Sequence, residues 1–445
     1  MPFIISILGS PNVPVTTPHL ENLFRHEAGK LVAALTRVFG PQHLALAEDV
    51  AQDALLKALE QWKFHGVPQN PSAWLFTVAR NKALDVLRQK RHEKEFAAAT
   101  AALLKSEYTA GPVLTAQLSP AHIEDEQLRM MFVCCHPALP TEAQVALTLK
   151  TLCGFSVAEI AHAFLTQEDT ITKRLYRARE TLRTENVLFE LPPPAQLTTR
   201  LDSVLLVIYL IFNEGYHASH HPTLVREDVI EEALRLAHML TQHSALQQPA
   251  VYALLALMCL NTARLPARLS PTGDFVQLKE QDRTRWNTDL LQQGREFLER
   301  ASAGDQLTPL HLEAAIAYEH TAAKHYADTN WERIVQLYDW LLALKPAPLI
   351  QLNRLIAIGE WKGASHALTR PETKALEKPL EASALYHATL ATWHQQANQI
   401  AQAKTGFERA IQYSASQAEQ RYFSSRLAAL AKRIEATTTG GAITF

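Results

Sequence analysis

Residues 152–183 read LCGFSVAEIAHAFLTQEDTITKRLYRARETLR, and the spacing of their apolar residues predicts a short helix followed by a longer one. The apolar positions of the two helices are, in order, Val157, Ile160, Ala161 and Phe164, and then Ile171, Leu175, Ala178 and Leu182. Ser156 is suited to cap the first helix, and residues 165–167 form a tight connection. This is the pattern of a helix-turn-helix.

The second helix of this pattern carries polar side chains on its solvent side, namely Thr170, Lys173, Arg174 and Arg177. A short basic helix presented in this way fits the major groove of DNA. An αα-hairpin with a basic exposed face is the simpler interpretation of the same residues. The motif by itself leaves both interpretations open.

Residues 48–62, EDVAQDALLKALEQW, predict another amphipathic helix. Its buried face is expected to hold Val50, Ala54, Leu55, Ala58 and Leu59. Glu48, Asp49 and Asp53 lie at its start, where the helix dipole favours negative charge.

The loop that follows, KFHGVPQNP at residues 63–71, is rich in turn-forming residues and lies between Trp62 and Trp74. A new helix is expected to begin near Pro71, because proline suits the first turn of a helix. Its apolar face would comprise Leu75, Val78, Ala79, Leu84 and Leu87. Its far end is basic, with Arg80, Lys82, Arg88, Lys90, Arg91 and Lys94.

The whole chain of 445 residues is predicted to be all-α and to contain more than one domain, because strand-like alternation is rare and the chain exceeds the usual length of one domain. Its net charge is -2, and residues 1–190 hold 19 Lys and Arg against 20 Asp and Glu. Any DNA-binding charge must therefore be local. Four cysteines without a paired motif, and no apolar run of membrane-spanning length, predict a cytoplasmic protein with no membrane partner.

Prolines and composition suggest the domain boundaries. The stretch at 96–120 looks like a linker, LPPPAQ at 191–196 is the sharpest break, and LPARLSPTGD at 265–274 is a weaker one. We predict domains at 1–95, 121–190, 191–300 and 301–445.

The order of these parts closely resembles the extracytoplasmic-function (ECF) family of bacterial RNA polymerase sigma factors. AEDVAQDALLKALEQW is similar to sigma region 2.2, AWLFTVARNKALDVLRQKR to regions 2.3 to 2.4, and GFSVAEIAHAFLTQEDTITKRLYRARETLR to region 4.2. The match follows the order of the family through residues 20–185. It implies a region 2 helical domain and a region 4 helix-turn-helix domain that bind RNA polymerase core and promoter DNA and direct transcription initiation.

The resemblance also implies roles for single residues. Polymerase binding would fall to Asp49, Asp53 and Leu56, although simple helix capping is an alternative for the two aspartates. The minus-ten element would be contacted by Phe64, His65, Gln69, Asn70, Arg80, Asn81, Arg88 and Arg91. The loop reads Phe64-His65-Gly66 where the family commonly has an F-R-G element, which leaves the promoter preference open.

The minus-35 element would be read by Thr170, Thr172, Lys173, Arg174 and Arg177. Arg179 and Arg183 are expected to contact the DNA backbone or solvent instead. Trp62 and Trp74 could serve the flipped bases or act as core anchors, and for Trp74 the core is the preferred interpretation.

Two clusters invite a metal or redox interpretation. The vicinal pair Cys134-Cys135 lies in an apolar stretch, so core packing is expected, and the histidines His217, His220 and His221 complete no ligand set. We therefore predict no metal site and no cofactor. The sequence contains no P-loop, dinucleotide fingerprint, HExxH or G-x-S-x-G motif, so an enzyme is not expected.

The C-terminal half begins with an apolar helix that ends in the NEGY element at 213–216, which resembles one in sigma factors with such an extension. From residue 311 helical hairpins resemble degenerate tetratricopeptide (TPR) repeats. The positions that carry this likeness are Leu390, Ala391, Ala403, Phe407 and Ala410, and in another window Tyr338 and Pro346. Such repeats usually present a surface for a protein or peptide ligand.

We hypothesise that this extension regulates the sigma factor in cis. One alternative is a helix-turn-helix regulator that does not use polymerase core. Another is a TPR-like protein scaffold.

Overall fold

The structure is a computed structural model that describes residues 17–90, 120–164, 166–216, 225–270, 275–414 and 417–440. Within these ranges the backbone forms helices and no β-strand, apart from one isolated antiparallel bridge between Leu269 and Phe275. The all-α prediction is confirmed.

The helices, numbered in chain order, are α1 Thr17–Phe39, α2 Leu44–His65, α3 Pro71–Lys90, α4 Pro120–Cys134, α5 Thr141–Thr151, α6 Val157–Ala163, α7 Glu168–Thr184, α8 Pro194–Tyr216, α9 Glu227–Leu240, α10 Pro249–Thr262, α11 Leu265–Arg268, α12 Thr288–Ala301, α13 Pro309–Ala322, α14 Trp331–Leu344, α15 Pro348–Lys362, α16 Ala364–Leu368, α17 Pro371–Ala375, α18 Ala384–Gln396, α19 Ile400–Tyr413 and α20 Gln417–Gly440.

The chain forms two compact units, Met1–Leu210 and Ile211–Phe445. In the first unit α1 packs against α2 and α3 on the one hand and against α4 and α5 on the other. Gly29 permits this packing, because a Cβ atom there would collide with the carbonyl oxygen of Leu152. The helices that carry the two predicted motifs therefore share one unit.

The predicted helix-turn-helix is present as α6 and α7. Ile171, Leu175, Ala178 and Leu182 of α7 are all buried, as their spacing predicted. Ser156 and Glu159 cap α6 reciprocally: the Glu159 amide donates to Ser156 Oγ over 3.1 Å, and the Ser156 amide donates to Glu159 Oε2 over 2.7 Å.

The predicted buried face of α2 is partly wrong. Leu59 is 51 % exposed, whereas small residues, among them Ala47, Ala51, Ala54 and Ala58, fill the buried side. Alanines allow neighbouring helices to approach closely, so α2 turns this side to the core and leaves the bulkier leucines outside.

The second unit consists of the end of α8 and the helices α9–α20. One apolar core joins residues of α13–α18, and a smaller one joins Ala391, Ala403, Phe407 and Leu430 of α18–α20. Ala410 is also fully buried. The small residues of the predicted hairpin thus lie at its interface, while its relation to the TPR repeat stays a prediction.

The cysteines pack in the interior. Cys134, Cys135, Cys153 and Cys259 are free and buried, and Cys134 Sγ lies 3.1 Å from Thr151 Oγ1. Burial raises the pKa of Cys135 and of Cys259 to about 12, so both are unreactive thiols at neutral pH. The expectation of core packing for Cys134-Cys135 is confirmed.

One described helix, α8, is long and apolar enough to cross a membrane. Core helices pass the same test, and α8 buries Val204, Val207, Ile208 and Ile211 within the protein. Length and composition alone are therefore weak evidence for a span. The proposed linker at 96–120, Arg91 and the histidines 217, 220 and 221 lie outside the described residues.

Candidate functional site

The exposed side of α2 carries a stripe of carboxylates and leucines. Asp49 and Asp53 are exposed, as are Leu56 (57 %) and Leu59 (51 %). These residues follow one another at helical spacing and so share one side of the helix. Exposed leucines beside carboxylates suit contact with a protein that offers apolar and basic groups.

One member of this stripe has a partner within the chain. The Lys82 ammonium of α3 lies 2.8 Å from Asp53 Oδ2, and this hydrogen bond raises the pKa of Lys82. Both side chains are half exposed, and such a pair stabilises a protein by about 0–1 kcal/mol at most. If a basic group of a partner protein replaced Lys82 at Asp53, the protein would therefore lose little stability.

The loop after α2 presents an aromatic ring to solvent. α2 ends at His65 and is followed by Gly66, whose φ of 75° suits glycine, and the ring of Phe64 in the last turn of α2 is 79 % exposed. Gln69 is exposed as well. An exposed ring beside amides can stack on and hydrogen-bond to unpaired bases.

The structure gives two residues of this loop a local role. Asn70 Oδ1 accepts a hydrogen bond from the Ala73 amide over 2.9 Å and so caps α3. His65 Nδ1 lies 3.1 Å from the Gln61 carbonyl oxygen. Base contacts by Asn70 and His65 would have to share these groups with the backbone.

The two tryptophans that flank the loop form an aromatic cluster. Trp62 is 8 % exposed, stacks on Phe24 with a centroid distance of 5.4 Å and meets Trp74 edge to face at 5.4 Å. Trp62 is thus part of the core, while Trp74 is half-buried against it, and the core interpretation of Trp74 stays a prediction. They anchor both ends of the loop that carries Phe64.

On α3, Arg80 and Asn81 form one polar group, because the Arg80 guanidinium donates to Asn81 Oδ1 over 3.3 Å. Asn81 is exposed, and Arg88 lies 3.4 Å from Asp85 on the next turns. The structure thus brings Asn81 and Arg80 together on the same helix as Lys82, whereas the predicted Arg91 is not among the described residues.

α7 exposes the side that the sequence predicted. Thr170, Thr172, Lys173 and Arg177 are exposed and Arg174 is half-buried. Lys173 lies 2.7 Å from Asp169, and Thr172 Oγ1 donates to the Glu168 carbonyl. Tyr176 was not among the predicted residues but is 64 % exposed on the same helix. The available signal was that this aromatic residue falls outside the apolar positions 171, 175, 178 and 182.

Arg179 pairs with α2 and does not point into solvent. Its Nη2 lies 2.5 Å from Glu48 Oε2, and Glu48 is only 7 % exposed. Burial raises the pKa of Glu48 more than the charge of Arg179 lowers it. The expectation that Arg179 contacts DNA backbone or solvent is wrong, because it pairs with Glu48 across the fold. The expectation that Glu48, Asp49 and Asp53 lie at the start of this helix is also wrong, because α2 begins at Leu44 and has no acidic residue in its first turn.

A second ion pair joins the same two parts of the chain. Arg25 of α1 lies 2.7 Å from Glu159, the capping residue of α6, and its guanidinium also lies 4.4 Å from the centre of the Phe155 ring. The helices of the first motif and the helix-turn-helix are thus held together by charged contacts as well as by α1. Among the described residues, no group of three or more His, Cys, Asp or Glu side chains is placed to hold a metal ion.

Three family models match separate parts of the chain. Residues 23–93 match sigma-70 region 2, residues 129–182 match sigma-70 region 4, and residues 200–302 match a family of unknown function (DUF6596). No solved structure matches the chain.

Among known proteins, the ECF RNA polymerase sigma factor EcfG of Rhodopseudomonas palustris is 34% identical over 137 residues, which are 31% of this chain and 68% of that protein. This chain belongs to the ECF RNA polymerase sigma factors. A probable RNA polymerase sigma factor, RfaY of Xanthomonas campestris, is 30% identical over 174 residues, or 38% of this chain and 42% of its own. Sigma factors of this family bind RNA polymerase core and promoter DNA and direct the initiation of transcription.

The likeness also extends beyond the two sigma regions. An uncharacterized protein of Rhizobium meliloti is 35% identical over 400 residues, which cover 90% of this chain and 93% of that protein. The C-terminal half of this sigma factor is therefore shared with at least one relative of nearly the same length.

Proposed function

We propose that this sigma factor binds polymerase core through Asp49, Asp53, Leu56 and Leu59 on α2. The exposure of two adjacent leucines beside carboxylates supports this surface. The minus-ten element would bind Phe64, Gln69, Arg80, Asn81 and Arg88, with smaller contributions from His65 and Asn70. The minus-35 element would bind the exposed side of α7, through Thr170, Thr172, Lys173, Arg174 and Arg177.

The ion pair between Glu48 and Arg179 supports a further proposal, that the packed first unit is a resting state. The minus-ten and minus-35 elements are about 25 base pairs apart, or about 85 Å along B-form DNA. While α2 contacts α7 at 2.5 Å, the loop and α3 that follow α2 cannot bind the minus-ten element at the same time as α7 binds the minus-35 element. Promoter binding by both surfaces then requires these helices to separate.

We further propose that the C-terminal extension regulates this separation in cis. The support is that Arg200, near the start of α8, donates a hydrogen bond of 2.5 Å to the Phe132 carbonyl oxygen of α4. The first turns of the extension are thus attached to the helices that bear the helix-turn-helix. A change at this contact would alter how region 4 is held.

Transcription in vitro tests the surfaces. The purified chain is added to sigma-free bacterial core polymerase, and transcript starts are mapped on genomic fragments. We expect defined starts that Leu56→Asp removes by abolishing core binding, while the control Leu188→Asp, at an equally exposed leucine, leaves them intact. Arg174→Ala and Asn81→Ala should abolish the starts without loss of core binding; retained starts in these variants would contradict the assignment.

The regulatory proposal has its own test. A chain that ends at residue 216 retains α8 and its contact with α4, and it is compared with the full chain for core binding and for promoter-specific transcription. We expect the amount of transcript per bound polymerase to change. Equal transcription from both chains would refute regulation in cis, and loss of core binding would point to a structural need for the extension.

A further inference from the structure

The second unit brings together three arginines, one of them buried and two half-buried. Arg264 follows α10, Arg268 ends α11 and Arg283 opens the short 3-10 turn Arg283–Arg285. Burial lowers the pKa of Arg268 and of Arg283, and the positive charge of Arg264 lowers both further. The three guanidinium groups therefore lie close enough to repel one another, which is costly away from water.

Packing accounts for part of this arrangement. The Arg268 guanidinium lies 3.9 Å from the centre of the Tyr216 ring and hydrogen-bonds to this tyrosine, and Glu419 supplies a negative charge nearby. Arg283 Nη1 donates to the carbonyl oxygens of His320 and Ala323, over 2.9 and 2.6 Å, and so closes the end of α13. Arg268 and one side of Arg283 thus have structural roles.

Three other groups in the same place lack such an explanation. Arg264 Nε, Arg283 Nη2 and His320 Nδ1 are buried and have no hydrogen-bond partner among the described residues. Among the described residues, neither Arg264 nor Arg283 forms an ion pair within 4.0 Å. The carboxylate of Asp328 raises the pKa of Arg283, but this side chain is exposed. Buried polar groups in native proteins are nearly always paired, so this convergence indicates a missing partner of opposite charge.

The surroundings hold these groups rigidly. The Arg283 guanidinium lies 4.6 Å from the centre of the Trp286 ring, and the His320 ring meets Trp331 edge to face at 5.4 Å. Burial, with the charges of Arg264 and Arg283, lowers the pKa of His320 to about 3, so this imidazole is neutral at pH 7. A guanidinium held against Trp286, a second guanidinium whose charge acts on His320 and a neutral imidazole therefore lie in one place.

We propose that Arg264, Arg283 and His320 form a binding site for a small anionic ligand that carries a phosphate or carboxylate group. Guanidinium groups match the planar or tetrahedral oxygens of such anions and hold them by charge-assisted hydrogen bonds. The site lies where the segment 200–302 meets the helical hairpins, outside both sigma regions. Its occupancy is independent of the regulatory role proposed above.

The test is anion binding to the full-length protein at constant ionic strength. Inorganic phosphate and succinate are titrated separately, and binding is followed by calorimetry and by tryptophan fluorescence, to which Trp286 and Trp331 contribute. We expect saturable binding of at least one of the two anions. Arg264→Gln should weaken it at least about tenfold, whereas the control Arg285→Gln, at an exposed arginine two residues after Arg283, should change it less than about twofold.

Thermal unfolding separates a binding role from a structural one. The bound anion should raise the unfolding temperature of the wild type but not of Arg264→Gln, and without anion this variant should be no less stable than the wild type, because a buried repulsion has been removed. If Arg264→Gln fails to fold, Arg264→Lys, which keeps the charge but not the fork, should also bind more weakly.

Three outcomes would overturn the proposal. They are no saturable binding of either anion by the wild type, equal binding by the Arg264 and Arg285 variants, and binding of a glutamate-rich peptide when neither small anion binds. The last would assign the surface to a protein partner.

Discussion

Replacement of Arg179 by methionine isolates the contact that joins α2 to α7. The change leaves Glu48 buried with its counter-charge removed, while Glu48 Oε1 already lacks a hydrogen-bond partner among the described residues. Breaking a buried pair from one side costs about 3–5 kcal/mol. The positive charge of Lys150 also acts on Glu48 and still compensates part of its negative charge, so we expect a loss of about 3 kcal/mol.

Hydrogen exchange on the full-length protein measures this loss locally. At about 1.4 kcal/mol per factor of ten, peptides from α2 and α7 should exchange about a hundredfold faster in Arg179→Met. The matched control is Arg183→Met on the same helix. Arg183 lies 2.9 Å from Glu180, but these side chains are 51% and 41% exposed, so exchange should change less than about threefold.

The pH dependence provides an independent check. Burial holds the pKa of Glu48 above its unfolded value, so the carboxylate form costs folding free energy as the pH rises from the unfolded pKa through the folded one. Without Arg179 this cost grows, and the deficit of Arg179→Met should be larger at pH 8 than at pH 5. Equal protection of Arg179→Met and Arg183→Met, or a deficit that does not shrink on acidification, would refute the reasoning.

Other positions yield further predictions. Gly29→Ala should lower the free energy of unfolding by about 1–3 kcal/mol, seen as an earlier urea midpoint, because the new Cβ collides with the Leu152 carbonyl. Burial raises the pKa of Glu214 to about 7, so its ionisation lowers the free energy of unfolding as the pH rises from about 4.5 through 7. In urea unfolding, Glu214→Gln should be more stable than the wild type by about 1–2 kcal/mol at pH 8, a value reduced because the side chain is partly exposed, and equally stable at pH 4.5. Phe64→Ala should leave the unfolding midpoint unchanged but reduce promoter opening, measured by permanganate reactivity of the minus-ten thymines, whereas Trp62→Ala should cost about 3–5 kcal/mol of stability.

Each of these has a control. Gly66→Ala adds a Cβ atom that meets nothing within 4 Å, so its loss of about 1–3 kcal/mol comes from backbone strain alone, at φ 75° and ψ 168°. An unchanged urea midpoint in Gly29→Ala would contradict the collision. A stability gain in Glu214→Gln at pH 4.5 as large as at pH 8 would exclude ionisation as its cause. Normal promoter opening by Phe64→Ala would remove this ring from the set of base contacts.

Much of the first unit could be predicted from sequence because its signals are local. Caps and apolar spacing act within one or two turns, so the residues 152–183 determine α6, its Ser156 cap and the buried side of α7 by themselves. The exposed side of α7 follows from the same spacing. Recognition of the two sigma regions rests on these local patterns and on their order along the chain.

The buried face of α2 could not be predicted from apolar spacing alone. Leu55, Leu56 and Leu59 carry the strongest hydrophobic signal, yet Leu56 and Leu59 are exposed and the buried side consists largely of alanines. Helical spacing indicates which residues share a side, but the volume of neighbouring helices decides which side is buried. The leucines left outside are the apolar part of the proposed polymerase surface.

Long-range pairing is decided by tertiary structure alone. Arg179 binds Glu48, which lies 131 residues earlier in the chain. The sequence has 43 Lys and Arg and 45 Asp and Glu residues, and no local pattern marks these two as partners. The arginines 264 and 283 and His320 likewise meet only after three separate segments pack together. The sequence alone determined the helices, their caps and the family, because these depend on neighbours along the chain; the partners of buried charges depend on how the helices pack, and only the folded protein decides them.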